Sequence, residues 1–509
     1  MKKILYVPLD ERPCNYSFPS ALSEGTEFSI FRPNLKIMGD KKTPADVEEL
    51  WKWLLEEAED AEGAILSLDT LVYGGIIPSR LHCLTKEECE NRLKRLKKLK
   101  EINPALKIFA FNLIMRCPQY SSSDEEPDYY EHWGTEIFQQ GYIKHRIQLE
   151  IATEEERSRL EEIEKILPSH FLEDYLSRRE VNIEVNKAAL HYVKDKTIDF
   201  MIVPQDDSSP YGLTAIDQQK LREHISTLGT ELKTYMYPGA DEVGCTLLTR
   251  MINVFKNQRP LVYPHFSSVQ GPFVNPLYED RPLYESLKYQ ILAAGGLFAT
   301  SISDADIVLL VNTPGETMIE AASQKNPLVS YNVHRNIVEL TEYAEYVTRN
   351  LKKPCVVADI AFANGGDLNL IKLLKGKQLL FDLAGYAGWN TSSNTLGTCI
   401  AQGMIYLVYG KQKQHLDFLS HRYVEDAGYC GQVRKYITDN VLTKMGYNYF
   451  QVDGQRGKIA AIVKEQLEKF INEHLNDEQY RIVVEDCFMP WSRMFEVGLK
   501  TKVELKVNH

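Results

Sequence analysis

The sequence predicts an α/β fold built on parallel sheet, and three recurring features predict it. Short apolar runs recur along the chain, each ends in a polar or Gly/Pro cluster, and a charged amphipathic segment follows, which is the rhythm of βα units. The nine runs end at Asp10 (ILYVPLD), Asp69 (AILSLD), Asn112 (IFAFN), Asp206 (FMIVPQD), Tyr237 (TYMY), His265 (LVYPH), Asn312 (IVLLVN), Asp359 (CVVAD) and Asp382 (LLFD). They exceed by one the strands of a plain barrel. The expected architecture is therefore a (β/α)8-like barrel with insertions and one accessory run, or alternatively two open α/β domains around a cleft. Both place ligands beyond the carboxyl ends of the strands.

Between the runs, apolar periodicity predicts helices over Pro44–Glu59 and Lys86–Glu101, and a long acidic-basic stretch over Thr153–Asp195 that Pro168 divides in two. In RLKRLKKLK, Leu93, Leu96 and Leu99 form the apolar stripe of a surface helix whose wet face is basic. The expected organisation is an α/β catalytic domain over 1–409 with a helical insertion at 150–195, then a smaller α+β region over 410–509. That tail carries a helix at Lys458–His474 and short strands within Tyr480–Val507.

Composition narrows the function. Hydrophobic residues make up 44% and charged residues 26%, the balance of a chain that folds throughout. A formal charge of -12 with scattered basic residues offers no field for a phosphate backbone, so nucleic acid is not an expected partner. The nine cysteines form no CxxC pair or Cys/His cluster, which fits reduced thiols and a cytoplasmic protein. The N-terminal apolar run stops at Asp10, too soon for a signal-peptide core, and no apolar run is long enough to span a membrane. No nucleotide-binding glycine motif is present, and no cofactor or metal is expected.

Chemistry is expected at the strand ends, where a rigid sheet aims a side chain that loops leave open. Asp and Asn there also cap the following helices, a structural reading that competes at each position. The sharpest segment is PQDDSSPYG, Pro204–Gly212. Adjacent Asp206 and Asp207, if their carboxyls approach, hold a proton near neutrality on one while the other stays ionised, and Tyr211 stands beside them. The same residues are also turn formers. In YPGADE, Gly239 gives a tight turn that presents Asp241 and Glu242, or these are first-turn acids of the next helix. AGYAGWNTSSNTLGT, Ala384–Thr398, combines flat faces from Tyr386 and Trp389 with the amides of Asn390 and Asn394, the mixture a sugar ring requires. Supporting polar groups are Asp10 with Arg12, Asp69 with Tyr73 and Arg80, Asn112 with Arg116, and Asn364 with Asp367. The arginines either bind an anionic substituent or pair with the acids. His265 and His334 are isolated.

Taken together, LDERP, SLDTLVYGG with Ser79 and Arg80, QDDSSPYGL, YPGADE, ANGGD and AGYAGWNTSSNTLGT resemble a family of bacterial proteins catalogued as a domain of unknown function. The resemblance runs to about Tyr409 and implies carbohydrate metabolism of a β-N-acetylgalactosaminidase-like kind. It brings no established catalytic residues with it. From the residues themselves, the leading expectation is a substrate-assisted glycoside hydrolase for small 2-acetamido sugars, with Asp206 orienting the acetamido group and Asp207 as general acid. Two alternatives stand: a metal-dependent hydrolase using Asp10, Asp69, Asp206 and Asp241, and a sugar-binding protein without chemistry.

Overall fold

A computed structural model describes residues 1–506, so that Val507, where the expected strand region ends, lies outside the described residues. The apolar runs form parallel strands in two sheets, each in its own compact unit. The first unit comprises residues 1–11, 28–244 and 278–280; the second comprises 12–27, 245–277 and 281–509. This division differs from the expected one. Residues 1–409 contribute to both units, and the described residues from 410 onward belong wholly to the second.

In the first unit, β1 (Lys2–Val7), β2 (Phe28–Phe31), β3 (Gly63–Ser67), β4 (Lys107–Phe111), β5 (Phe200–Gln205) and β6 (Thr234–Pro238) lie in the order β2-β1-β3-β4-β5-β6, all parallel. β3 and β5 are buried along their whole length, as a parallel sheet covered on both faces requires. The order reverses between β1 and β3, and Thr70 joins their carboxyl ends by donating to the carbonyls of Pro8 and Leu9 at 2.7 and 2.9 Å.

The helices follow the sequence signals closely. The first forms over Val47–Glu57, starts where Asp46 accepts from Glu49 N, and buries Val47, Leu50, Trp51 and Leu54 on one face. The stretch at 86–101 is two helices, Lys86–Leu93 and Leu96–Ile102, and its three leucines are buried. The insertion consists of Glu154–Ile166 and Ser169–Lys194, parted at Pro168 as expected, and a further helix, Tyr130–Gln148, precedes it.

In the second unit, β7 (Leu261–Phe266), β8 (Leu297–Phe298), β9 (Ile307–Asn312), β11 (Cys355–Asp359) and β13 (Gly385–Ala387) lie in the order β13-β11-β9-β7-β8, again all parallel. β10 (Ile319–Glu320) and β12 (Phe362–Ala363) form a small parallel pair, and β14 (Tyr480–Phe488) with β15 (Gly498–Leu505) an antiparallel ribbon. The tail does contain the expected helix, Lys458–Phe470, and the expected strands. Its apolar residues, among them Leu467, Phe470, Ile482 and Val503, join one core with Val308, Val357 and Tyr386 of the sheet, which is why it does not stand apart as a unit.

Two details correct the sequence reading. LLFD, 379–382, is not a strand: Leu379, Leu380 and Phe381 are buried in irregular backbone, and the adjacent strand is β13. Strand β2 (FSIF) was not expected; it is four residues long and ends on exposed Phe31, so it gives almost no periodicity to read. No helix of the described residues is long and apolar enough to cross a membrane.

Candidate active site

At the carboxyl end of β5 the chain reaches Asp206 and Asp207 through Pro204, which has no N–H to give a neighbouring strand. β4 pairs with β5 only as far as Ile202, and beyond it a single contact, Ile114 N to the Pro204 carbonyl at 3.1 Å, continues the edge. The two acids are thereby lifted out of the ladder. Asp207 adopts a positive φ of 44°, uncommon for a non-glycine residue and more readily taken by Asp than by most.

Both carboxylates meet arginines. Arg80 Nη2 donates to Asp206 Oδ2 at 2.8 Å, and Arg116 Nη1 donates to Asp207 Oδ2 at 2.9 Å. The same two guanidiniums hold Glu126 Oε1, at 3.2 Å from Arg80 Nη1 and 2.7 Å from Arg116 Nε, and both reach Glu125 Oε2, at 3.1 and 3.0 Å. Four carboxyls thus share two buried cations. Burial, followed by the charge of Asp207, pushes Asp206 up to about 7, and burial raises Asp207 as well against the pull of Arg116. Such a cluster holds a proton near neutral pH on the pair as a unit.

The insertion positions this cluster. Helix Ser169–Lys194 sends Tyr175 Oη and Arg179 Nη1 to the Arg116 carbonyl, at 2.8 and 3.0 Å, and Arg179 Nη2 to the Met115 carbonyl at 2.6 Å. Farther along, Asn182 Nδ2 donates to the Ser79 carbonyl at 2.8 Å, one residue from Arg80, and Asn186 Nδ2 to Asn112 Oδ1 at 2.7 Å. The insertion thus fixes the backbone beside both arginines.

Other expected residues of the first unit lie at neighbouring strand ends. Asp69, after β3, accepts from Asn112 Nδ2 at 3.1 Å and Leu113 N at 2.9 Å, and burial pushes it up to about 7. Asp10, Asp241 and Glu242 are buried in the turns after β1 and β6, with Glu242 Oε2 accepting from Ala240 N at 2.9 Å within its own turn. Tyr211 packs edge-on against Tyr142 and under Arg146, so its ring contacts helix Tyr130–Gln148. No group of three or more His, Cys, Asp and Glu side chains among the described residues is arranged to hold a metal ion, Asp10, Asp69, Asp206 and Asp241 included.

Arg12, Asn364, Asp367, Tyr386, Trp389, Asn390 and Asn394 belong to the second unit. Arg12 lies over the Trp491 ring at 4.5 Å. A second buried network surrounds Asp359 at the end of β11. Its Oδ2 accepts from Tyr386 Oη at 2.9 Å and Asp367 N at 2.7 Å, and its Oδ1 from Asn312 Nδ2 at 2.8 Å. Asp367 is at once a helix cap, accepting from Asn369 N at 2.9 Å, and an ion-pair partner of Arg335 at 2.7 Å. Burial, with the neighbouring charge of Asp367, pushes Asp359 up to about 7, and burial pushes Asp426 up to about 8 despite Arg422. Asp426 Oδ2 accepts from Gly388 N at 2.8 Å; the 3.1 Å approach of Arg422 Nη1 to Oδ1 is an ion pair without hydrogen-bond alignment.

Tyr386 and Trp389, expected as flat faces, are packed: Tyr386 is fully buried, and Trp389 meets Phe18 edge-on and donates to Thr398 Oγ1 at 3.3 Å. Asn394 donates to Thr391 Oγ1 at 3.0 Å inside its helix. Asn364 and Asn390 both take positive φ, 61° and 50°, and Asn364 N donates to the Asn390 carbonyl at 2.8 Å.

Sequence reasoning missed Glu125, Glu126, Arg335, Asp426 and the site roles of Asn312 and Asp359. The last two end recognisable strands, and that position is itself a signal. Glu125 and Glu126 sit in SSSDEEPD, whose composition is that of a solvated turn. No curated protein matches the chain. Residues 4–500 match the family model described as protein of unknown function (DUF4127), and the chain belongs to that family.

Proposed function

We propose that this protein is a glycoside hydrolase acting on small 2-acetamido sugars, with the Asp206/Asp207 pair as its catalytic carboxyls. The observation that carries the reading is the placement of two adjacent acids at a strand end, in a cluster where four carboxyls share Arg80 and Arg116 and a proton is retained near pH 7. In this reading the sugar's acetamide N–H donates to Asp206. Hydrogen bonding to the charged form favours ionised Asp206, so the shared proton passes to Asp207. Asp207 gives that proton to the glycosidic oxygen as the bond to the anomeric carbon breaks, and the acetamide oxygen closes on that carbon. Water, deprotonated by the Asp207 carboxylate, then opens the ring and yields the sugar with retained configuration. The free cysteines suit a reducing compartment, and we propose a cytoplasmic site of action on an imported or internally made saccharide.

A panel of nitrophenyl glycosides tests the reading. Turnover is expected for a 2-acetamido glycoside and not for its 2-hydroxy counterpart, which lacks the internal nucleophile; equal turnover of both, or none by folded protein, removes it. A sugar-binding role without chemistry is favoured by one observation, the arginine paired to each acid, because a carboxyl already bonded to a guanidinium is less free to turn towards a glycosidic oxygen. Binding without turnover, at an affinity unchanged by Asp207→Asn, selects that reading.

A further inference from the structure

We infer that the second unit carries a saccharide-binding site of its own, where the order of its sheet reverses. β7 has β8 on one side and β9 on the other, so the connections leave in opposite directions there. In open α/β sheets ligands settle outside the carboxyl ends of the strands at such a point. A cavity of about 1130 Å³ opens at this place, bordered by segments that follow β7 and β9 and by residues 332–336, all within the second unit. That is larger than most small-molecule pockets, at about 300–1,000 Å³, and leaves room for more than one sugar ring.

The lining chemistry selects a neutral ligand. Its arginine is compensated internally, Arg335 being held by Asp367 at 2.7 Å, while His334 Nδ1 meets Glu316 at 2.7 Å. An anionic ligand therefore meets an arginine that is already paired, with a carboxylate, Glu316, beside it. What remains is an apolar face and uncharged hydrogen-bonding groups. Phe273 is 72% exposed, and the side chains of Gln270, Asn275 and Thr317 carry no partner among the described residues. Arg335 adds a donor, since its Nε and Nη1 are engaged by the Tyr331 carbonyl, Asn312 and Asp367 while Nη2 has no partner among the described residues. An aromatic face beside amides, a hydroxyl and an anchored guanidinium matches the C–H face and hydroxyls of a pyranose.

This inference does not rest on hydrolysis at Asp206 and Asp207, and the experiment separates the two. The full chain carrying Asp207→Asn is titrated calorimetrically with N,N′-diacetylchitobiose, lactose and maltotriose, and saturation-transfer NMR identifies the sugar protons in contact. The titration is repeated with Phe273→Ala added, an exposed position whose truncation leaves the core untouched, and with Thr317→Ala as a second probe. At least one neutral saccharide is expected to bind, and Phe273→Ala to weaken it on the order of tenfold or more through loss of ring contact. No saccharide binding, affinity unchanged by Phe273→Ala and Thr317→Ala alike, or displacement by inorganic phosphate overturns the proposal. If glycoside turnover is absent but Phe273-dependent binding is found, the hydrolase reading falls and this site stands. Turnover at Asp206 and Asp207 without Phe273-dependent binding keeps the hydrolase and removes this site.

Discussion

Arg80 and Asp206, 126 positions apart in the chain, meet at 2.8 Å, and the Arg80 side chain is 2% exposed. Removing it leaves Asp206, Asp207, Glu125 and Glu126 with one cation, Arg116, in a desolvated cluster. Arg80→Met, which keeps the length but not the charge, is expected to destabilise the protein by about 3 kcal/mol, as breaking a buried pair does. Urea unfolding checks this; a midpoint equal to wild type would mean the cluster reorganises around Arg116 alone.

The two acids have separable roles. Asp207→Asn is expected to slow a substrate with a poor leaving group by about 10² to 10⁴, and a nitrophenyl glycoside much less, because the latter needs little protonation to depart. Asp206→Asn is expected to slow both substrates alike, since acetamide participation assists either departure. The ratio of kcat/KM for the two substrates reads the outcome, and an unchanged ratio in both variants rejects the assignment.

Asp359 is held up to about 7 in the folded protein, by burial first and by Asp367 second. A carboxyl whose folded value lies above its unfolded one binds its proton more tightly when folded. Its contribution is full below the unfolded value, near 4, and is lost as pH rises through about 7. Asp359→Asn should therefore flatten the fall in Tm between pH 5 and pH 8. A wild-type Tm that rises across that interval while the variant's does not would reverse the sign and refute the account.

Gly366 stands where the second network closes. A Cβ there would lie 2.3 Å from Tyr386 Oη and 3.1 Å from Asp359 Oδ2, with a Tyr386 ring that is fully buried and cannot swing aside. Gly366→Ala is expected to lose about 1–3 kcal/mol by overpacking. Thermal melting measures it, and Tyr386→Phe in the same chain should recover part of the loss by removing the obstructing oxygen.

The parallel strands were legible because each carried its own turn and helix signal. Eight of the nine expected runs ended at real strand ends, and the ninth, LLFD, failed because a buried irregular segment and a short strand share the same composition. Pairing with acids was one of two readings open for Arg80 and Arg116, and the sequence did not indicate which acids. Glu126 is 1% exposed and central to the cluster, yet it lies in a loop whose residues signal solvent. The unit boundaries were hidden for another reason: no linker marks them, and residues 12–27 join the second unit although they fall between two strands of the first.

That interleaving sets a timetable for synthesis. Phe18, in the early segment 12–27, rests against Trp389 and Phe418 and beneath Arg422, none of which exists when it leaves the ribosome. At ~5–20 residues per second, its partners follow roughly 20 to 80 s later. For that interval Phe18 waits without the rings and the guanidinium that cover it, so this part of the second core can close only after the last of them has been made.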